Sequence, residues 1–133
     1  MDFSRDIASR DINEYLHQFI AKDFCLQIKP FESWMTIITL TRNSCCHHAR
    51  IWNKRNTLLA MDPIRISKAW IKLPTDKLRI YFDICMIKWF LDCISPNNTL
   101  KDKICNLLID FPCIDIKAMG FPADWLTEEL WNG

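Results

Sequence analysis

Apolar residues return along this chain at helical rather than strand spacing. In residues 4–23, Ile7, Ile12, Tyr15, Leu16, Phe19 and Ile20 share one side, while Arg5, Asp6, Arg10, Asp11 and Glu14 fill the other. This predicts a first helix. Pro30 and the polar residues near it mark a break. A second helix is predicted over residues 31–54, with Trp34, Ile38, Cys45 and Trp52 on one side and Thr41 and His48 between them. Residues 56–73 lose the period and carry an Asp62-Pro63 turn signal. They read as a long irregular linker, of the kind that is often functional, with room for a short helix over 65–71. Pro74 suits the first turn of a third helix, residues 75–94. That helix has two apolar stripes: Leu78, Phe82, Cys85, Trp89 and Cys93, and nearly opposite them Ile80, Ile84, Ile87, Leu91 and Ile94. Apolar residues on both sides mean burial on both sides, in the middle of a bundle or against a partner.

Ser95-Pro96-Asn97-Asn98 is a turn, and an Asn there can cap a fourth helix over 98–110, whose apolar face is Ile104, Leu107, Leu108 and Phe111. Pro112 stops it. A helical turn over 114–119 closed by Gly120, and a last short helix over 122–130, complete the chain, with Trp125 and Trp131 as anchors. The pattern predicts one all-α domain over residues 1–133, a bundle of four main helices with short C-terminal helical segments.

Composition sharpens this picture. Only two glycines occur, Gly120 and Gly133. A glycine-rich phosphate loop is therefore excluded, and a strand-and-turn architecture is disfavoured. Seven scattered cysteines, with Cys85, Cys93 and Cys105 inside apolar runs, point to reduced thiols. With an N-terminus that lacks a signal-peptide core, they predict a cytoplasmic protein. The most apolar run, 80–94, contains Asp83, Lys88 and Asp92 and is too short to span a bilayer. The net charge of +1 conceals a basic block: residues 50–79 hold eight Lys/Arg against two acids. Such a block suggests a polyanion patch.

The candidate chemistry lies in residues 42–54, Arg-Asn-Ser-Cys-Cys-His-His-Ala-Arg-Ile-Trp-Asn-Lys. On an ideal helix Asn43, His47, Arg50 and Lys54 form one polar stripe, with Arg42 at its edge. Cys45, His48 and Trp52 fall on the other side. A histidine titrates near neutral pH and can take or give a proton. Arginine offers a planar, permanently charged fork to phosphate oxygens. Together they suit cleavage of a phosphodiester without a metal or other cofactor: the imidazole deprotonates a ribose 2′-hydroxyl or protonates the leaving 5′-oxygen. One helix supplies one histidine on the stripe, so a two-fold dimer would supply both acid and base. Zinc is a poor reading of Cys-Cys-His-His, because adjacent helical residues point apart and metal sites use wider spacings. A thiol–imidazole pair at Cys46 and His47 meets the same objection. His17 has no companion motif and reads as structural.

These residues resemble the Abi-like (abortive infection) family, within the HEPN superfamily of α-helical ribonucleases. The superfamily signature, Arg followed by four to six residues and His, is matched by Arg42, Asn43 and His47, and at one longer spacing by His48. The narrower Abi-like pattern is matched by Trp34, Arg42, Asn43, Cys45, His47, His48, Arg50, Trp52 and Asn53. Residues 119–125, Met-Gly-Phe-Pro-Ala-Asp-Trp, are similar to the family's closing segment, so the resemblance runs over about 20–131 and corresponds to the family's C-terminal half. It implies a HEPN-type bundle that dimerises to juxtapose two motifs and cleave RNA, in phage defence or a toxin–antitoxin pair, with an antitoxin or phage-derived trigger as further partner. Arg42 is then expected at the scissile phosphate, His47 as acid–base, Asn43 as orienting group and His48 as second candidate. Arg50, Asn53, Lys54, Arg55, Arg65, Lys68 and Lys72 are expected along the RNA backbone. The reading from another class is a non-catalytic RNA-binding or protein-interaction module, in which the motif only binds.

Overall fold

In a computed structural model, residues 15–17, 19–46, 56–63 and 68–132 are described. Four main helices carry the architecture, and no strand occurs among the described residues. Helix α1 comprises residues 15–17 and 19–23; α2 is Ile28–Cys46, α3 Ile80–Ile94 and α4 Leu100–Asp110. A 3-10 turn, Trp125–Thr127, and the short helix α5, Glu129–Asn132, follow. The all-α reading therefore holds.

The helix boundaries move for identifiable reasons. The break before α2 is not at Pro30. It falls at residues 24–27, where Cys25 takes a left-handed conformation with φ of 56° and the Leu26 N–H donates to Ala21 O at 3.1 Å. Pro30 sits inside the first turn of α2, where a missing N–H costs nothing. The third helix begins at Ile80 rather than residue 75, so Pro74 lies ahead of it. Asp76 accepts the Leu78 N–H at 3.0 Å and the Thr75 hydroxyl donates to Leu73 O at 2.9 Å, local bonds that compete with a helical turn. The fourth helix begins at Leu100, whose N–H donates to the Asn98 side chain at 3.4 Å. Residues 68–71 are not helical.

The core is aromatic and is built on α3. Trp34 of α2 is fully buried, stacks on Trp70 of the linker at 5.0 Å, and meets Trp89 edge-on at 5.6 Å. Phe24 and Phe31 close on Phe90 at 5.0 and 6.2 Å. A second cluster caps the start of α3, where Tyr81 packs on Phe121 at 4.5 Å and Trp125 on Trp131 at 5.3 Å. The buried indoles are satisfied. Trp34 Nε1 donates to Met61 O, Trp89 Nε1 to Phe24 O (each 2.7 Å), and Trp131 Nε1 to the Tyr81 hydroxyl at 3.1 Å. An indole buried without a partner would cost about 1–3 kcal/mol.

The irregular linker is part of this core rather than an outer loop. Ala60 and Trp70 are buried, and the Glu128 carboxylate, itself buried, accepts the backbone N–H groups of Lys72 and Leu73 at 2.8 and 3.3 Å. One stripe of α3 lies in the core, with Tyr81, Phe82, Cys85, Met86 and Trp89 all nearly inaccessible. Its other stripe is incomplete: Ile84, Ile87 and Leu91 are half-buried and Ile94 is exposed. No described helix is long and apolar enough to cross a membrane.

Candidate functional site

The C-terminal part of α2 carries the beginning of the motif. Its buried seam runs through Phe31, Trp34 and Ile37 and continues into half-buried Thr41 and Ser44. Cys45, expected on the apolar side, is exposed. The seam advances by three and four residues and passes to one side of the Ile38–Cys45 line. Arg42 and Asn43 follow from this phase: both are exposed, and among the described residues the Arg42 guanidinium makes a single long contact, 3.5 Å to Asn43 Oδ1. A guanidinium held this loosely can exchange that contact for a phosphate oxygen. His47, His48, Arg50, Asn53, Lys54, Arg55 and Arg65 lie outside the described residues.

Of the two described linker cations, Lys68 faces inward. Its Nζ lies 2.9 Å from Cys93 Sγ and 5.6 Å from the centre of the Trp89 ring. To reach a phosphate it would have to leave both. Lys72 is exposed, with Nζ 3.2 Å from Glu129 Oε1. An open pair of this kind is worth little and exchanges readily. Because Glu128 holds the Lys72 backbone, this cation is fixed beside α5. The Trp131 side chain of α5 in turn rests on Tyr81, in the first turn of α3.

Beneath Arg42 is a group that sequence reasoning missed. Asp83 is fully buried on the first turn of α3. Its Oδ2 accepts the Thr41 hydroxyl at 2.6 Å, and its two oxygens accept the Asn56 amide at 3.0 and 3.1 Å. Burial pushes its carboxyl above the ordinary value, and the Thr41 and Asn56 bonds pull the other way. The available signal was an acid near the start of an apolar run, which the sequence offered, with Lys88 and Asp92, only as an argument against a membrane span. Burial likewise pushes the Tyr81 hydroxyl and the Cys85 thiol up, so both stay neutral and neither serves as a base or nucleophile at neutral pH. His17 is on the surface, its Nδ1 3.2 Å from Glu32 Oε1, a link between α1 and α2.

An apolar groove of about 860 Å³ lies between α1, α2 and α3, lined by residues such as Phe24, Met35, Ile38 and Phe90. Its titratable lining groups, His17 and Glu32, bond each other. Among the described residues the exposed arginine of the sequence motif, Arg42, stands apart from this groove, at the end of α2.

No curated protein and no solved structure matches the chain. Residues 7–53 match the model of the family described as Abi-like protein. The match begins ahead of the expected residue 20, takes in Trp34, Arg42, Asn43, His47, His48 and Asn53, and leaves the closing segment 119–125 outside. The similarity to the Abi-like family thus lies in the segment that carries α1, α2 and the Arg–His motif.

Proposed function

We propose that this Abi-like chain is a metal-independent endoribonuclease of the HEPN type, with its site completed by a second copy. The family match supports an abortive-infection type of role. The observation that carries the chemistry is Arg42: an exposed guanidinium with one long contact, next to Asn43, on a helix end whose other side is bonded to the core through Thr41.

In this mechanism Arg42 binds the non-bridging oxygens of the scissile phosphate and Asn43 orients them. His47 removes the proton of the ribose 2′-hydroxyl, which attacks phosphorus as the bond to the 5′-oxygen breaks. The His47 of the second copy delivers a proton to that leaving oxygen. The products are a 2′,3′-cyclic phosphate and a free 5′-hydroxyl, and His48 is the second candidate for the proton transfers. Acid–base help of this kind contributes roughly 10²–10⁴-fold. Arg50, Asn53, Lys54, Arg55, Arg65 and Lys72 line the backbone track, with Lys68 joining if it leaves Cys93. A phage-derived trigger or an antitoxin partner regulates the activity.

The test is cleavage of a labelled RNA with EDTA present. Wild type should cut, and Arg42→Ala and His47→Ala should each lose at least about 10²-fold in rate. Cleavage retained in both variants would remove the assignment, and cleavage abolished by EDTA would remove the metal-free mechanism. Salt-sensitive RNA binding without any cutting would leave a binding module instead.

A further inference from the structure

Asp83 belongs to α3 but bonds to two segments outside it. Thr41 immediately precedes Arg42, and Asn56 immediately follows Arg55. The residues that flank the whole basic and histidine stretch therefore meet on one carboxylate, at 2.6, 3.0 and 3.1 Å. The exit is fixed a second time, because the Asn56 backbone N–H donates to Leu78 O, just ahead of α3, at 2.6 Å. Core packing does not call for a carboxylate here. An apolar side chain of similar size would avoid the desolvation cost that a buried acid carries. Such a group earns its place by specifying an arrangement, and this one specifies where a stretch of chain enters and leaves.

We propose that Asp83 is a positioning residue: by binding Thr41 and Asn56 together it holds the end of α2 and the Asn56 segment against the first turn of α3, and so sets where Arg42 stands. The inference rests on the ribonuclease reading for its catalytic consequence, but the clasp itself does not. Arg42 is one residue from Thr41, so loss of that bond lets the helix end turn and carries the guanidinium away from its phosphate. Displacements on the order of 1 Å in positioning groups cost roughly 10²-fold in rate.

Two measurements on the full chain decide it. The first is amide hydrogen exchange, followed by mass spectrometry, in peptides covering 38–46, the end of α2, and, as an internal control, 85–92. The second is RNA cleavage with kcat and KM separated. The variants are Thr41→Val, which deletes the hydroxyl at nearly constant shape, and Thr41→Ser, which restores it. Thr41→Val leaves Asp83 its Asn56 bonds, so the fold is retained. Exchange over 38–46 should rise about tenfold or more in Thr41→Val, return to wild type in Thr41→Ser, and stay unchanged over 85–92. In parallel kcat should fall about tenfold or more while KM moves less than about twofold. Unchanged exchange over 38–46, or a rise shared equally by 85–92, would overturn the proposal. If wild type does not cut RNA, the ribonuclease reading falls while the exchange arm still judges the clasp.

Discussion

Asp83 also makes the protein's stability depend on pH, with a sign that can be worked out. Burial raises its folded-state carboxyl above the ordinary 3.8. Between 3.8 and that raised value the folded chain holds a proton the unfolded chain has lost. The contribution is therefore full below the unfolded value and is lost as pH rises through the folded one. The neighbouring groups do not blur this: Thr41 and Asn56 do not titrate, and burial keeps Cys85 a neutral thiol throughout the window. Asp83→Asn removes the titration while its carboxamide still accepts from Thr41, and the Asn56 amide can turn to face the new N–H. In urea unfolding from about pH 4 upward, wild type should lose stability relative to Asp83→Asn until the carboxyl is ionised, then run parallel to it. A difference independent of pH would exclude a raised carboxyl. At this scale the sequence was legible where chemistry is local. Arg42 and Asn43 are as exposed as their helical phase requires, whereas the role of Asp83 depends on Thr41, 42 residues away, which no spacing rule reports.

Among the elements, helices were legible wherever an apolar stripe was long. The stripes of α2, α3 and α4 each predicted a helix that forms, and the two-sided pattern of α3 left open the middle of a bundle or a partner, of which the buried stripe through Phe82, Cys85 and Trp89 fills the first. Their starts were not legible, because Cys25 and Asp76 stop or delay a helix by backbone and side-chain bonds that leave hydropathy unchanged. The linker was read as irregular, and so it is, but its burial through Trp70 is a tertiary fact. One turn was legible in full. Gly120, φ 91°, closes the turn after residue 116, with the Phe121 N–H on Ile116 O at 3.0 Å. A Cβ there would stand 2.6 Å from Arg79 Cβ. Gly120→Ala should therefore cost about 1–3 kcal/mol from the backbone conformation alone, with the clash added. A melting temperature lowered by several degrees is the expected result. An unchanged melting temperature would mean that this turn does not hold the start of α3.

For the molecule as a whole, the aromatic core is what α2, the linker and α3 share. Trp34→Ala removes the ring that meets Trp70, Trp89 and Phe90, and should destabilise the fold by about 3–5 kcal/mol. Denaturant unfolding followed by circular dichroism gives the value. That loss is a large share of the stability of a domain this size. The proposed composite site makes a separate demand at this scale. The active species should sediment as two chains, and dilution that separates them should abolish cutting while leaving the helical spectrum in place.

The second aromatic cluster joins residues that are far apart in the chain. Tyr81 rests on Trp131, and the segment holding Lys72 and Leu73 rests on Glu128. The aromatic partners of Tyr81 are thus made some fifty residues after it, with a sequence separation of 50 for the Trp131–Tyr81 bond. During synthesis α2 and α3 emerge with Tyr81 uncovered and the linker unanchored, and stay so until residues 121–131 arrive. Long-range closure of this kind slows folding. It also ties the competence of the Arg42 end of the molecule to translation having passed Trp131. A ribosome that stalls between Pro112 and Leu130 would release a chain with every motif residue present and the base of α3 still open.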